Sequence, residues 1–267
     1  MGNPHEFIGI FVFSFRKLTY GREQLSYLNS FNRAATASGK AMTALQLVLT
    51  GDPGLFAIVR LSLLVSLGAV LFAALVGVPA GALLALTRFP GRDVLIVILN
   101  ALMGLPPVVA GLAIFLLLSR SGPLGSWGIL FTPQAMVIAQ TVLVTPIIAA
   151  LTRQTIEDLW VEYRDEFAAM GIGPGRRVVT LIWDARFSLV TALLAGFGRA
   201  AAEVGSIIIV GGNIDGFTRT MTTAIALETS KGDLQLAVGL GLVLIFIVVV
   251  INALAWAMRH AGERYAG

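Results

Sequence analysis

The chain has 267 residues, of which 57% are hydrophobic and 13% charged, where an ordinary soluble domain carries about 25% charged residues. That balance argues against a water-soluble fold. The absence of cysteine, with only two histidines, His5 and His260, near opposite ends, argues against a disulfide framework or a metal-centred enzyme. The net charge of +4 does not require nucleic acid, because membrane proteins gather Lys and Arg in the loops that stay in the cytoplasm.

Residues 1–46 read as an N-terminal extension. The apolar run at 7–15 is too short to span a bilayer, and its positive charge follows the apolar stretch, whereas a signal peptide carries that charge before it. We expect residues 1–41 to be absent from the cellular product, which would then start at Met42.

The rest, 47–267, holds five segments long and apolar enough to cross a hydrocarbon core: 61–86, 94–118, 135–151, 187–212 and 234–258. Backbone groups find no water in that core, so each run is expected to be helical, with kinks at Pro79, Pro106, Pro107 and Pro146. The expectation is an all-α, polytopic helix bundle.

Basic residues assign the sides. With the stretch between the third and fourth spans in the cytoplasm, that side holds Arg88, Arg92, Arg153, Arg164, Arg176, Arg177, Arg186, Arg259 and Arg264. The opposite side holds Arg120, Arg219 and Lys231, which leaves the C-terminus cytoplasmic. Residues 1–46 go against the rule, with Arg16, Lys17, Arg22, Arg33 and Lys40 left outside.

The cytoplasmic stretch 152–186 carries 11 charged residues. Within it Ile156, Leu159, Trp160, Tyr163, Phe167 and Met170 recur at spacings of three and four and form one apolar stripe of a helix. Glycines 171, 173 and 175 with Pro174 break that helix, and a second short one is expected over 176–183. Two such helices either dock a partner or lie in the lipid headgroups.

In the fourth span, Arg199 and Glu203 place opposite charges in an apolar helix. Each would cost roughly 2.5 to 3.5 kcal/mol facing lipid at mid-membrane. Spaced by four, they share a helical face and can pair, either to fix helix packing or to serve an ion path. Beyond them Gly211, Gly212, Asn213, Thr218, Arg219, Thr220, Thr222 and Thr223 offer flexible backbone and hydrogen-bond donors. An outer gate is expected there.

These residues resemble a known family. Asp165, Glu166, Phe167, Ala168, Ala169, Met170 and Gly171, followed by Trp183 to Arg186, look like the coupling loop of ABC importer permeases, which reads Glu-Ala-Ala, three residues, Gly, and later Ile-x-Leu-Pro. Asp165 stands for the Glu, Glu166 and Phe167 for the two alanines and Asp184 for the Pro; Gly171 matches. Residues 199–205 with Gly211, Gly212 and Asn213 are similar to a region shared by sulfate, molybdate and tungstate permeases. Segments 102–111, 119–125 and 222–229 look like the tungstate type.

The resemblance implies a type I ABC importer permease fold with five core transmembrane helices, in the plasma membrane. Its job would be import of an oxyanion, tungstate first, with molybdate or sulfate as alternatives. Asp165, Glu166, Ala168, Ala169 and Gly171 would couple to an ATPase, and Arg199, Glu203, Asn213, Thr220, Thr222 and Thr223 would line the path or gate. Partners would be an ATP-binding subunit carrying ATP and Mg, a second copy of the permease, an external oxyanion-binding protein and the bilayer, with no nucleic acid. No cofactor and no catalytic residue is expected on this chain, which lacks a phosphate-binding GxxxxGK[ST] loop. Two rivals are an intramembrane hydrolase, disfavoured because no GxSxG elbow is present, and a channel or secondary transporter, disfavoured by the long charged stretch.

Overall fold

A computed structural model describes residues 53–266. The expected extension at 1–46, the start at Met42 and His5 lie outside the described residues. Among the described residues there are nine α-helices, one 3-10 turn and no strand. They run α1 Pro53–Leu86, α2 Arg92–Met103, α3 Pro107–Leu118, α4 Pro133–Ala169, α5 Pro174–Asp184, α6 Arg186–Ala201, α7 Gly205–Gly211, α8 Met221–Lys231 and α9 Leu234–Ala266.

The long helices α1 and α4 form the central pair. Ala69, Ala73 and Ala82 are fully buried on α1. Gly77 and Gly81 continue the four-residue spacing, so the helix backbones approach closely. A Cβ on Gly81 would run into the Ala149 carbonyl, and one on Gly77 would lie 3.1 Å from the carbonyl oxygen of Thr145. Three apolar clusters stack along this pair. Val65, Ile114, Met136 and Ile207 join α1, α3, α4 and α7 at one end. Val70, Val144, Ile148 and Phe197 join α1, α4 and α6 in the middle. Ala82, Ile156, Phe167, Leu181 and Leu189 join α1, α4, α5 and α6 at the basic end.

The outer faces of α1 and α9 expose Leu64, Leu67, Leu71, Leu75, Leu242, Ile245 and Phe246. Such a surface is stable against hydrocarbon, not water. Three helices, α1, α4 and α9, are long and apolar enough to cross a membrane, and five spans result if each bent pair counts as one.

Two expected spans are not straight. The run at 94–118 is two helices meeting at 101°, each about 18 Å long at 1.5 Å per residue and too short for a core of about 30 Å. The N–H groups of Gly104 and Leu105 turn back to the carbonyls of Ala101 and Leu102, closing α2, while Pro106 and Pro107 have no N–H with which to continue it. The run at 187–212 is also interrupted, between Ala201 and Gly205.

The opposite holds for the third span. The apolar run at 135–151 and the charged stretch after it are one unbroken helix of 37 residues, α4, about 55 Å long. The charged stretch continues α4, which runs through Pro146 without interruption, and is followed by α5 and a bend of 71° into α6.

Candidate functional site

Arg199 lies in the last turn of α6, which ends at Ala201. The sequence places both charges within one helix; the structure places Glu203 in the break before α7. The N–H groups of Ala202 and Glu203 turn back to Gly198 and Ala200, ending the helix. The pair forms all the same, with Arg199 Nη1 2.6 Å from Glu203 Oε2. Glu203 is 3% exposed and Arg199 30%. The other carboxylate oxygen of Glu203 accepts the Ser206 N–H at 3.0 Å, satisfying a free donor at the start of α7.

Two further elements close on this break. Gln140, in the third turn of α4, donates its amide to the Ala200 carbonyl at 2.9 Å, and Thr222 on α8 donates its hydroxyl to the Glu203 carbonyl at 2.8 Å. Carbonyls at the break are thus bonded by side chains from distant parts of the chain, that of Ala200 in addition to its bond from the Glu203 N–H. Gln140 and Ser206 escaped the sequence reading; a lone amide in the apolar run 135–151 was the available signal.

The break in 94–118 adjoins the same place. A Cβ on Gly205 would lie 2.9 Å from Val108 Cγ2, and one on Gly111 would lie 2.7 Å from Ser206 Cα. The start of α3 and the start of α7 therefore meet with backbones nearly touching.

A cavity of about 20 Å³ is lined by Ser62, Ser66, Gln140, Phe197, Thr220 and Thr222 among others. Its volume suits a single water. Ser62 already donates to the Ile58 carbonyl and accepts from the Met221 N–H.

Of the other expected gate residues, Thr220, Thr222 and Thr223 are buried and Asn213 is half-buried. Thr220 and Thr223 form a reciprocal cap at the start of α8, with the Thr220 N–H donating to Thr223 Oγ1 at 2.9 Å. Asn213 sits at the far end of α7, about 10 Å from the break. It follows Gly212 in left-handed geometry, at φ 50°, a conformation that Asn tolerates better than most side chains.

At the basic end, α4 stops in a glycine cap. Gly171 has φ +63°; its N–H donates to the Ala168 carbonyl and that of Ile172 to the Phe167 carbonyl, the paired bonds of a Schellman turn. Asp165, Glu166, Ala168, Ala169, Met170 and Gly171 are all exposed at this tip.

The apolar stripe behaves differently from both of its expected uses. Ile156, Leu159, Trp160, Tyr163 and Phe167 pack inward with α5 and the foot of α1. Trp160 stacks on Phe167 with centroids 6.2 Å apart, and the Arg177 guanidinium lies 5.6 Å from the Trp160 ring. Met170 leaves the stripe because the helix ends at Ala169. The stripe is the core of a hairpin, and the free surface is the tip together with Val179 and Trp183 of α5, 69% and 68% exposed.

Comparison with known proteins places this geometry. Residues 77–264 match the family described as "Binding-protein-dependent transport system inner membrane component". A probable anion ABC transporter permease protein of Haloferax volcanii is 40% identical over 210 residues, covering 77% of this chain and 90% of that one. The tungstate uptake system permease protein TupB of Peptoclostridium acidaminophilum is 37% identical over 216 residues, 81% of this chain and 95% of its own. The molybdenum transport system permease protein ModB of Escherichia coli K12 is more distant, 30% identical over 175 residues, 62% and 76% of the two chains.

Proposed function

Because the chain belongs to the family of binding-protein-dependent transport system inner membrane components, we infer that it is the membrane-spanning subunit of an ATP-driven oxyanion importer, with tungstate as cargo. The observation that carries this reading is α4, one continuous helix that runs from Gln140, bonded to the buried polar break, to the exposed tip at Gly171. A partner that pushes the tip can move the bundle interior.

In this reading a separate subunit binds ATP and Mg and grips Asp165, Glu166, Ala168, Ala169 and Gly171. Two copies of the chain enclose the path, and an external protein delivers the anion. The basic end, with Arg88, Arg92, Arg153, Arg176 and Arg177, faces the cytoplasm, as does the C-terminus. ATP binding draws the tips together and opens the bundle outward; hydrolysis resets it. Such rocking of rigid helices about a membrane-depth site is the usual form of alternating access.

Arg199 and Glu203 stand at the path, the partly exposed guanidinium offering attraction to an anion while the buried carboxylate prevents tight trapping. Thr220, Thr222 and Thr223 shape the gate by fixing the start of α8, and Asn213 marks its outer hinge. The similarity to the Peptoclostridium and Haloferax proteins supports an oxyanion, and the greater identity to the tungstate permease favours tungstate over molybdate.

The test is uptake by proteoliposomes holding this chain, its ATPase and its binding protein. Labelled tungstate should accumulate only with internal ATP, with molybdate a weaker competitor and sulfate weaker still. Uptake that persists without ATP would overturn the reading in favour of a channel or secondary carrier.

A further inference from the structure

Glu157 lies midway between the bundle and the tip of α4, and both of its oxygens are held by arginines. Oε2 accepts from Arg153 Nη1 at 2.5 Å, one turn back on α4. Oε1 accepts from Arg92 Nη2, on the first residue of α2. The Nε of Arg92 donates in turn to the Leu84 carbonyl in the last turn of α1, at 2.8 Å. One guanidinium therefore ties three helices. Arg92 and Glu157 are 23% and 31% exposed, so solvent screens them less than a surface pair.

What the tie holds gives it meaning. None of the residues of α2 is buried, and its sustained packing is against α4. With so little apolar contact, the charge-assisted bond from Arg92 to Glu157, together with its bond to the Leu84 carbonyl, governs where that end of α2 sits. From there α2 runs to the 101° break at 104–106. Beyond the break α3 packs against α7 through Gly111 and Ser206, and α7 opens directly after Glu203. A continuous chain of contacts leads from the α4 lever to the broken helices around Arg199.

We propose that the Glu157–Arg92 ion pair is the strut that passes movement of α4 into α2, swinging it about the 104–106 break and so changing the packing around Arg199 and Glu203. This rests on the importer reading. Glu157 is a positioning residue and touches no cargo. Arg153 keeps the carboxylate aimed along the α4 surface, so that the link stays engaged as the lever tilts.

The test uses the full transporter in proteoliposomes and measures tungstate uptake per ATP hydrolysed. Coupling between sites commonly spans 5- to 150-fold, so Glu157→Gln should lower uptake per ATP about tenfold with hydrolysis within about twofold of wild type. Arg92→Gln, which leaves the Arg153–Glu157 pair intact, should do the same and serves if Glu157→Gln does not insert. Arg92→Lys, which keeps a cation opposite Glu157 and leaves the Arg153–Glu157 pair intact, should retain at least about half of the ratio. Unchanged uptake per ATP in both glutamine variants, or uptake and hydrolysis falling in proportion, would overturn the strut. A wild-type complex that takes up no oxyanion would overturn the importer reading and the strut with it.

Discussion

The carboxylate of Glu203 lies 2.6 Å from the guanidinium of Arg199, although the helix carrying Arg199 ends at Ala201. The pair therefore bridges a helix and the break that follows it, and its second oxygen starts the next helix through Ser206. Removing one partner of a buried pair commonly costs about 3–5 kcal/mol, whereas replacing both with apolar side chains can be neutral. Because Arg199 is 30% exposed, the lower end applies. Glu203→Leu should lower the melting temperature of the purified protein clearly, and Arg199→Met with Glu203→Leu should recover part of the loss, the Ser206 N–H remaining without its acceptor. Additive losses would show that the two do not act as a unit.

Gly171 has no atom within 4 Å of where a Cβ would stand, but its φ is +63°. The left-handed conformation costs most residues about 1–2 kcal/mol, and Asn less. Gly171→Asn should keep ATP-driven uptake close to wild type. Gly171→Trp should leave membrane insertion intact but separate hydrolysis from uptake, since it distorts the cap and crowds the exposed tip. Equal uptake by both variants would remove the coupling role of this turn.

Gly81 presents the reverse case, because its φ is ordinary and its space is filled. Any side chain would collide with the Ala149 carbonyl and with Thr152; overpacking typically costs about 1–3 kcal/mol. Gly81→Val should lower the yield of folded protein in detergent, measured by size-exclusion chromatography. Gly68→Ala on the same helix should be tolerated, since its nearest neighbour, Val137, would be 3.6 Å away.

Thr220 caps α8 with a side chain that is 2% exposed. Loss of such a cap costs about 1 kcal/mol. Thr220→Ala should destabilise the protein to that extent, while Thr220→Ser should keep most of the stability. Thermal unfolding in detergent separates them, and identical curves would show that the cap contributes nothing.

Residues 53–266 show how far the linear order of residues suffices. Runs such as 61–86 declare helices in lipid by length and apolarity alone, because an unbonded peptide group cannot remain in hydrocarbon. The positive φ required at the end of a helix is legible in Gly171 followed by Pro174, since few other residues allow that turn. The apolar stripe from Ile156 to Phe167 was visible by its spacing. Its partner was not, because spacing tells which face is buried and is silent on what buries it.

The rest was settled by the tertiary structure. Gly104, Pro106 and Pro107 announce an interruption, but only packing of α2 on α4 and α3 on α7 sets it at 101°. Arg199 and Glu203 announce a pair, yet the break between them is braced by Gln140 and Thr222, which bond the Ala200 and Glu203 carbonyls. Sequence determines where a helix can stop, through residues that lack a donor or tolerate unusual dihedrals. Whether it does stop depends on partners for the released backbone groups, and those come from 60 residues away for Gln140 and 19 for Thr222, a distance that no local pattern spans.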